Sequence, residues 1–202
     1  MEDPQKIIDD FTLEEYKNIS QAHFELHNAF RQMFRFYLGI VAVPVTVFAF
    51  AYKDVQVSLG SLPVIFVYIL LLAGIIGLLM FLSLINIRFD IIFYTRTVNG
   101  TRAYFVNRSN SALTKYLLLP GDMRFPPYTE TFRSYWWQFL LIALINSAYV
   151  TVAARNLLGR WCFAFIAAAV VFSLHYLAYV RLAASRNLKD EKRLKEIGAS
   201  QA

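Results

Sequence analysis

The chain has 202 residues, 57% of them hydrophobic and only 17% charged, with a formal net charge of +6. Soluble domains carry about 25% charged residues, and an aromatic content of 16% exceeds what a water-soluble core of this length needs. The lone Cys162 excludes an intrachain disulfide, and with it a disulfide-stapled secreted module.

Residues 1–35 are acidic, and they lack the positive stretch followed by an apolar run that a secretory signal peptide requires. Thr12-Leu13-Glu14-Glu15 reads as a capping box that would start a helix at Thr12. Leu13, Tyr16, Ile19, Phe24, His27, Phe30 and Phe34 then recur at roughly helical spacing. The segment is expected to be an amphipathic helix leading into the first apolar block. Its net charge of −3 disfavours an anionic lipid surface and favours packing on protein, including the basic linker further on.

Four blocks contain no Asp, Glu, Lys or Arg: Phe36–Tyr52, Val55–Ile87, Ser134–Ala154 and Trp161–Val180. A membrane-spanning helix needs roughly 20 predominantly apolar residues, within a range of about 17–25. All four blocks meet that length. The first is the weakest, being short and interrupted by Pro44, and the second is long enough to project beyond a bilayer. The expected fold is therefore all-α and polytopic, with four transmembrane helices, an N-terminal amphipathic helix and a cytoplasmic helical linker. Two hairpins, 36–87 and 134–180, flank the linker 88–133, and a basic tail follows at 181–202.

Lys and Arg collect in the cytoplasmic loops of membrane proteins. Four lie in the N-terminal segment, seven in the linker and six in the tail, whereas the two short connections hold only Lys53, Arg155 and Arg160. That partition puts both termini and the linker on the cytoplasmic side. Tyr135-Trp136-Trp137 and Trp161 fall at block ends, where aromatic side chains suit the headgroup level.

The linker reads IRFDIIFYTRTVNGTRAYFVNR from Ile87 to Arg108, a mixture of Arg, Asn and aromatic residues that extends the second block. Asn99-Gly100 marks a plausible break in that helix, and Pro120-Gly121 and Pro126-Pro127 mark irregular structure beyond it. Arg96, Asn99 and Arg102 fall three apart, on or near one face. Arg pairs with phosphates and aromatic rings stack on bases, so the segment suits a nucleotide or oligonucleotide. Protein interfaces are enriched in the same residue types, and both readings stand.

Catalytic constellations are missing: no Gly-rich phosphate loop, no Cys/His metal spacing and no carboxylate within any block. The chain is not expected to be an enzyme or to carry a cofactor or metal. His23 and His27 lie four apart but lack a nearby third ligand, so they read first as packed or solvated side chains. His175, inside the fourth block, reads either as a functional intramembrane group or as a hydrogen-bond partner of a polar residue such as Asn146. Gln138, Ile142, Asn146 and Tyr149 follow one helix face that would either line a wet pore in an oligomer or pack helices together. Gly74 with Gly77, and Ala164 with Ala168, suit close helix approach.

Tyr94-Thr95-Arg96, Asn99, Arg102, Tyr104 and Phe105, with Pro120 and Pro126-Pro127-Tyr128 before the third block, resemble small bacterial four-helix membrane proteins. The layout is similar to membrane effectors of anti-phage systems partnered with a nucleotidyltransferase-like enzyme, the transmembrane effectors of the Hailong system among them. The resemblance covers hydropathy over most of the chain and motif over about twenty residues. It implies a homo-oligomeric, ion-conducting effector in the bacterial inner membrane, controlled at its cytoplasmic face by a nucleotide or single-stranded DNA from the partner enzyme. Arg96, Asn99, Arg102 and Arg108 would then bind the ligand, and Gln138, Asn146 and Tyr149 would line the pore. The alternative is a non-catalytic membrane anchor whose linker docks a partner protein.

Overall fold

A computed structural model describes residues 3–51, 62–108, 122–129 and 134–199. Lys53, Lys115, Pro120-Gly121, Glu130 and Arg133, which entered the reading of loops and charge, lie outside the described residues. Among the described residues the regular structure is helical throughout: α1 is Pro4–Ala51, α2 Val64–Arg108, α3 Ser134–Leu158 and α4 Trp161–Ala199. All four are long and apolar enough to cross a membrane.

The start of α1 is not at Thr12. Asp3 caps the helix, its carboxylate accepting from the Gln5 amide at 3.0 Å and its carbonyl from the Lys6 amide at 2.9 Å. Pro4 follows at the first helical position, where its missing N–H costs nothing. Thr12 sits inside the helix with its hydroxyl donating to the Ile8 carbonyl at 2.7 Å, so the capping-box reading is replaced by an earlier start. The helix also continues through Pro44. Two residues on, the Thr46 hydroxyl donates to the Ala42 carbonyl at 2.9 Å.

Nor does α2 break at Asn99-Gly100. Neither residue is in a turn. Asn99 spends its side chain on the segment 122–125, and Gly100 leaves room for Met123: an added Cβ would sit 2.7 Å from the Met123 sulfur. The two residues are explained by close approach of a loop, not by a bend.

The connection from α3 to α4 turns on Gly159, whose φ of 71° is the left-handed conformation glycine adopts without strain. Its amide donates to the Arg155 carbonyl at 3.0 Å, closing the helix end. The Arg155 guanidinium lies 5.4 Å from the centroid of the Trp161 ring across this turn. Asn156 on the same turn accepts from the Leu62 amide at 2.7 Å, two residues ahead of α2. The basic tail is helical as far as Ala199, as its run of good helix formers favours.

The chain divides into two compact units, one within Met1–Arg31 and Asn86–Tyr128, the other within Gln32–Ile85 and Thr129–Ala202. The N-terminal segment and the linker, far apart in sequence, thus belong to one unit. Both hairpins and the tail belong to the other. In the first unit α1 presents Tyr16, Ile19, His23, His27 and Phe30 inward, while Leu13 and Phe24, expected on that face, are exposed. In the second unit the interior is built by Tyr37, Phe66, Phe81, Leu84, Phe139, Ile142 and Ala164. Its outward residues are apolar too, among them Phe36, Val45, Leu72, Leu79, Phe165, Ile166 and Val170, a surface that soluble monomers rarely show.

Candidate functional site

In the helical unit formed by both hairpins, polar side chains converge inside an apolar interior. The Tyr37 hydroxyl of α1 donates to Asn146 Oδ1 of α3 at 3.1 Å. The Asn146 amide nitrogen lies 3.1 Å from His175 Nε2 of α4, and His175 Nδ1 lies 2.7 Å from the Val171 carbonyl. One assignment satisfies every member. Since Val171 O can only accept, His175 carries its proton on Nδ1, and Nε2 accepts from the Asn146 amide. The result is a directional chain, Tyr37 to Asn146 to His175 to Val171, joining three helices. A second tyrosine, Tyr149, donates to the Val41 carbonyl and ties α3 to α1 again.

Asn146 is 1% exposed and His175 2% exposed, so each depends on these bonds to offset its desolvation. Glycine makes the arrangement possible. A Cβ at Gly77 of α2 would overlap the Asn146 amide, lying 2.7 Å from its Cγ and Nδ2. Gly74, one turn away, is not constrained in this way: a Cβ there would meet Val150 at an ordinary 3.6 Å. The Phe81 ring packs edge-on to His175 with centroids 4.7 Å apart.

Of the residues expected to line a pore, Asn146 and Tyr149 are buried and held by α1 and α4 of the same chain. Gln138 is half-buried, and its Oε1 is buried without a hydrogen-bond partner. With Ile142 and Ala143 also buried, this face of α3 points into its own unit. The hydrogen bond expected between His175 and Asn146 is present, the Asn146 amide donating to His175 Nε2. The roles of Tyr37 and Gly77 were not legible, because an aromatic in an apolar run and a glycine among leucines look like packing.

In the other unit, the basic face of α2 meets α1 and the segment 122–128. Arg96 donates through Nε to the Pro126 carbonyl at 3.1 Å, and its guanidinium lies 4.3 Å from the centroid of the Tyr128 ring. Asn99 is 1% exposed. Its amide nitrogen donates to the carbonyls of Phe125 at 2.9 Å and Asp122 at 3.3 Å, while its oxygen accepts from Arg102 at 3.2 Å. Arg108 pairs with Asp9 at 2.9 Å and also reaches the Tyr104 hydroxyl at 3.4 Å. That hydroxyl donates to Asp9 Oδ1 at 3.0 Å and accepts from Gln5 at 3.1 Å. The acidic first helix therefore packs against the basic linker, as its charge suggested. All four residues expected to contact ligand, Arg96, Asn99, Arg102 and Arg108, give polar atoms to the fold, Arg108 while staying exposed.

Arg102 is different. Besides its bond to Asn99, it lines an apolar cleft of about 170 Å³ with Leu13, Tyr16 and Phe105. Two aromatic rings beside a guanidinium is a setting that suits stacking and phosphate pairing together.

Nearby, His23 and His27 meet edge-to-face, their Nε2 atoms 3.2 Å apart, with the Thr95 hydroxyl 3.0 Å from His23 Nε2. Burial and the Arg88 and Arg102 charges push His23 below its ordinary range. Burial, His23, Arg88 and Arg31 push His27 down to about 4. The pair is therefore neutral at pH 7. Among the described residues, no third His, Cys, Asp or Glu joins them as a metal-ligand set.

No protein-family model, curated protein or solved structure matches this chain.

Proposed function

We propose that this chain is a non-catalytic membrane effector: a four-span inner-membrane protein that assembles with copies of itself and conducts ions under control of a nucleotide or oligonucleotide. The resemblance to anti-phage effectors supplies the defence role and the bacterial membrane. The partition of positive charge supplies the orientation, with both termini and the linker in the cytoplasm.

The observation that carries the reading is the Tyr37–Asn146–His175 chain. Polar side chains within apolar, span-length helices are costly and mark ion or substrate pathways. With every bond made, the chain seals the interior, and this is the closed state, which bound ligand favours and from which the free chain opens. Opening breaks the Asn146 bonds and exposes Tyr37, Asn146, Tyr149 and Gln138 to water. Arg102, in its cleft with Tyr16 and Phe105, is the main ligand contact. Arg96, Asn99 and Arg108 act by holding the segment and helix around it. Current recording on purified protein in planar bilayers tests this reading: unitary conductance that changes on adding short DNA oligonucleotides supports it. An electrically silent membrane with the protein inserted removes the channel.

A membrane anchor that docks a partner protein is the second reading. Ile7, Ile8, Phe11 and Phe24 on the first half of α1 favour it, since they are large, apolar and exposed outside the span-length blocks.

A further inference from the structure

Between α2, α3 and α4 lies a cavity of about 190 Å³ that the polar chain does not use. Its walls are the rings of Phe81, Trp136, Phe139, Phe172, Tyr176 and Tyr179, with His175 at one side, and they are almost wholly carbon. His175 offers an entering molecule nothing polar, because both its nitrogens are already bonded, to Asn146 and to Val171. A polar ligand would lose its hydration here and gain no partner. The occupant must be apolar.

The cavity is not sealed. Tyr176 is 59% exposed on its rim, so entry is from the outer surface of the helices. On the membrane-spanning reading proposed above, that surface faces acyl chains. Beyond Tyr179, α4 continues as Arg181, Arg186, Lys189, Lys192, Arg193 and Lys195 against Asp190, Glu191 and Glu196, a net +3. Arg186 falls seven residues after Tyr179, hence two helical turns further along nearly the same face. Basic segments at the cytoplasmic end of a span attract anionic lipid.

We infer that the aromatic cavity between α2, α3 and α4 is a binding site for one acyl chain of an anionic phospholipid of the inner leaflet, with its headgroup held by the basic continuation of α4. The chain inserts beside Phe81 and His175, so the lipid buttresses the ring that terminates the Tyr37–Asn146–His175 chain. The inference rests on membrane insertion but not on ion conduction.

Photolabelling tests it. The protein is reconstituted in phosphatidylcholine vesicles with a small fraction of phosphatidylglycerol bearing a mid-chain diazirine, and labelled peptides are mapped. Labelling concentrates on Trp136–Ala143 and Phe172–Tyr179. Ala143→Phe, which fills the cavity, lowers it roughly tenfold, the effect of excluding about two buried methylenes. Phe172→Ala, which enlarges the cavity, retains or raises it. The outward Ile166 and Val170 give a weaker background that neither variant alters. A phosphatidylcholine probe labels the cavity less than the anionic one. Uniform labelling indifferent to both variants means only a lipid annulus and overturns the site. Absence of labelling even at Ile166 and Val170 means the chain is not inserted, and the membrane reading itself fails.

Discussion

Asn146 lies so close to Gly77 that no side chain can stand at the glycine without displacing the amide. The contact couples α2 to a hydrogen-bond chain that α2 does not itself join. Gly77→Ala therefore breaks bonds made by Tyr37 and His175, and its expected cost is about 1–3 kcal/mol, two interhelical bonds at membrane-protein values with crowding added. Gly74→Ala would meet Val150 at an ordinary contact distance of 3.6 Å and should change stability by less than about 1 kcal/mol, helped by alanine's higher helix propensity. Thermal unfolding of both variants in one detergent makes the comparison. Equal losses would mean that close helix approach, not Asn146, sets the requirement.

Asn99 clasps the segment 122–125 through two donated bonds. Asn99→Asp keeps an acceptor for Arg102 but cannot donate, so the segment should loosen as it does in Asn99→Leu. Two lost bonds at about 0.5–1.5 kcal/mol each raise the open population roughly tenfold or more. Trypsin cleavage after Arg124 should accelerate to match, and an unchanged rate would show that other contacts hold the segment.

The His23–His27 pair sets an acid limit on the unit containing it. Both pKa values are depressed in the fold, so below about 6.5 the unfolded chain binds more protons than the folded one. Stability is full above that pH and declines as pH falls toward about 4, where folded His27 also takes its proton. Both rings are only part-buried, and solvent screening limits the loss to on the order of 1 kcal/mol. His27→Gln should flatten the decline, which hydrogen exchange of α1 amides at pH 7.5 and 5 can measure.

Tyr104 bonds Gln5, Asp9 and Arg108 at once, whereas the partly exposed Asp9–Arg108 pair is open to counterions. Asp9→Asn should cost roughly 0.2–1 kcal/mol at low salt and little at 1 M. Tyr104→Phe should cost about 1 kcal/mol at either ionic strength. Denaturation at two salt concentrations separates them.

The four apolar blocks were legible because hydropathy is additive along a chain, and each of the four helices carries most of one block. The helix ends were not. Thr12-Leu13-Glu14-Glu15 satisfies the capping-box rule, but Asp3-Pro4 supplies an N-cap and a first-turn proline nine residues earlier and no breaker intervenes. Asn99-Gly100 carries turn chemistry, yet its amide and its missing Cβ serve residues 122–125, more than twenty positions away. Arg96 and Arg108 carry ligand-binding chemistry in sequence, but a guanidinium looks the same whether it awaits a phosphate or holds Pro126 and Asp9. The reading of His175 as a hydrogen-bond partner of a polar residue such as Asn146 matches the structure. Nothing in the spacing of apolar residues distinguished Tyr37 or Gly77 from ordinary packing.

Ion conduction is the central claim, and membrane potential tests it most directly. Bacteria expressing this chain alone, loaded with a voltage-sensitive dye, should depolarise within minutes of induction, and Asn146→Leu at equal membrane abundance should alter that response. An unchanged potential at good expression, with added oligonucleotide also silent in reconstituted bilayers, would contradict the claim and leave the anchor.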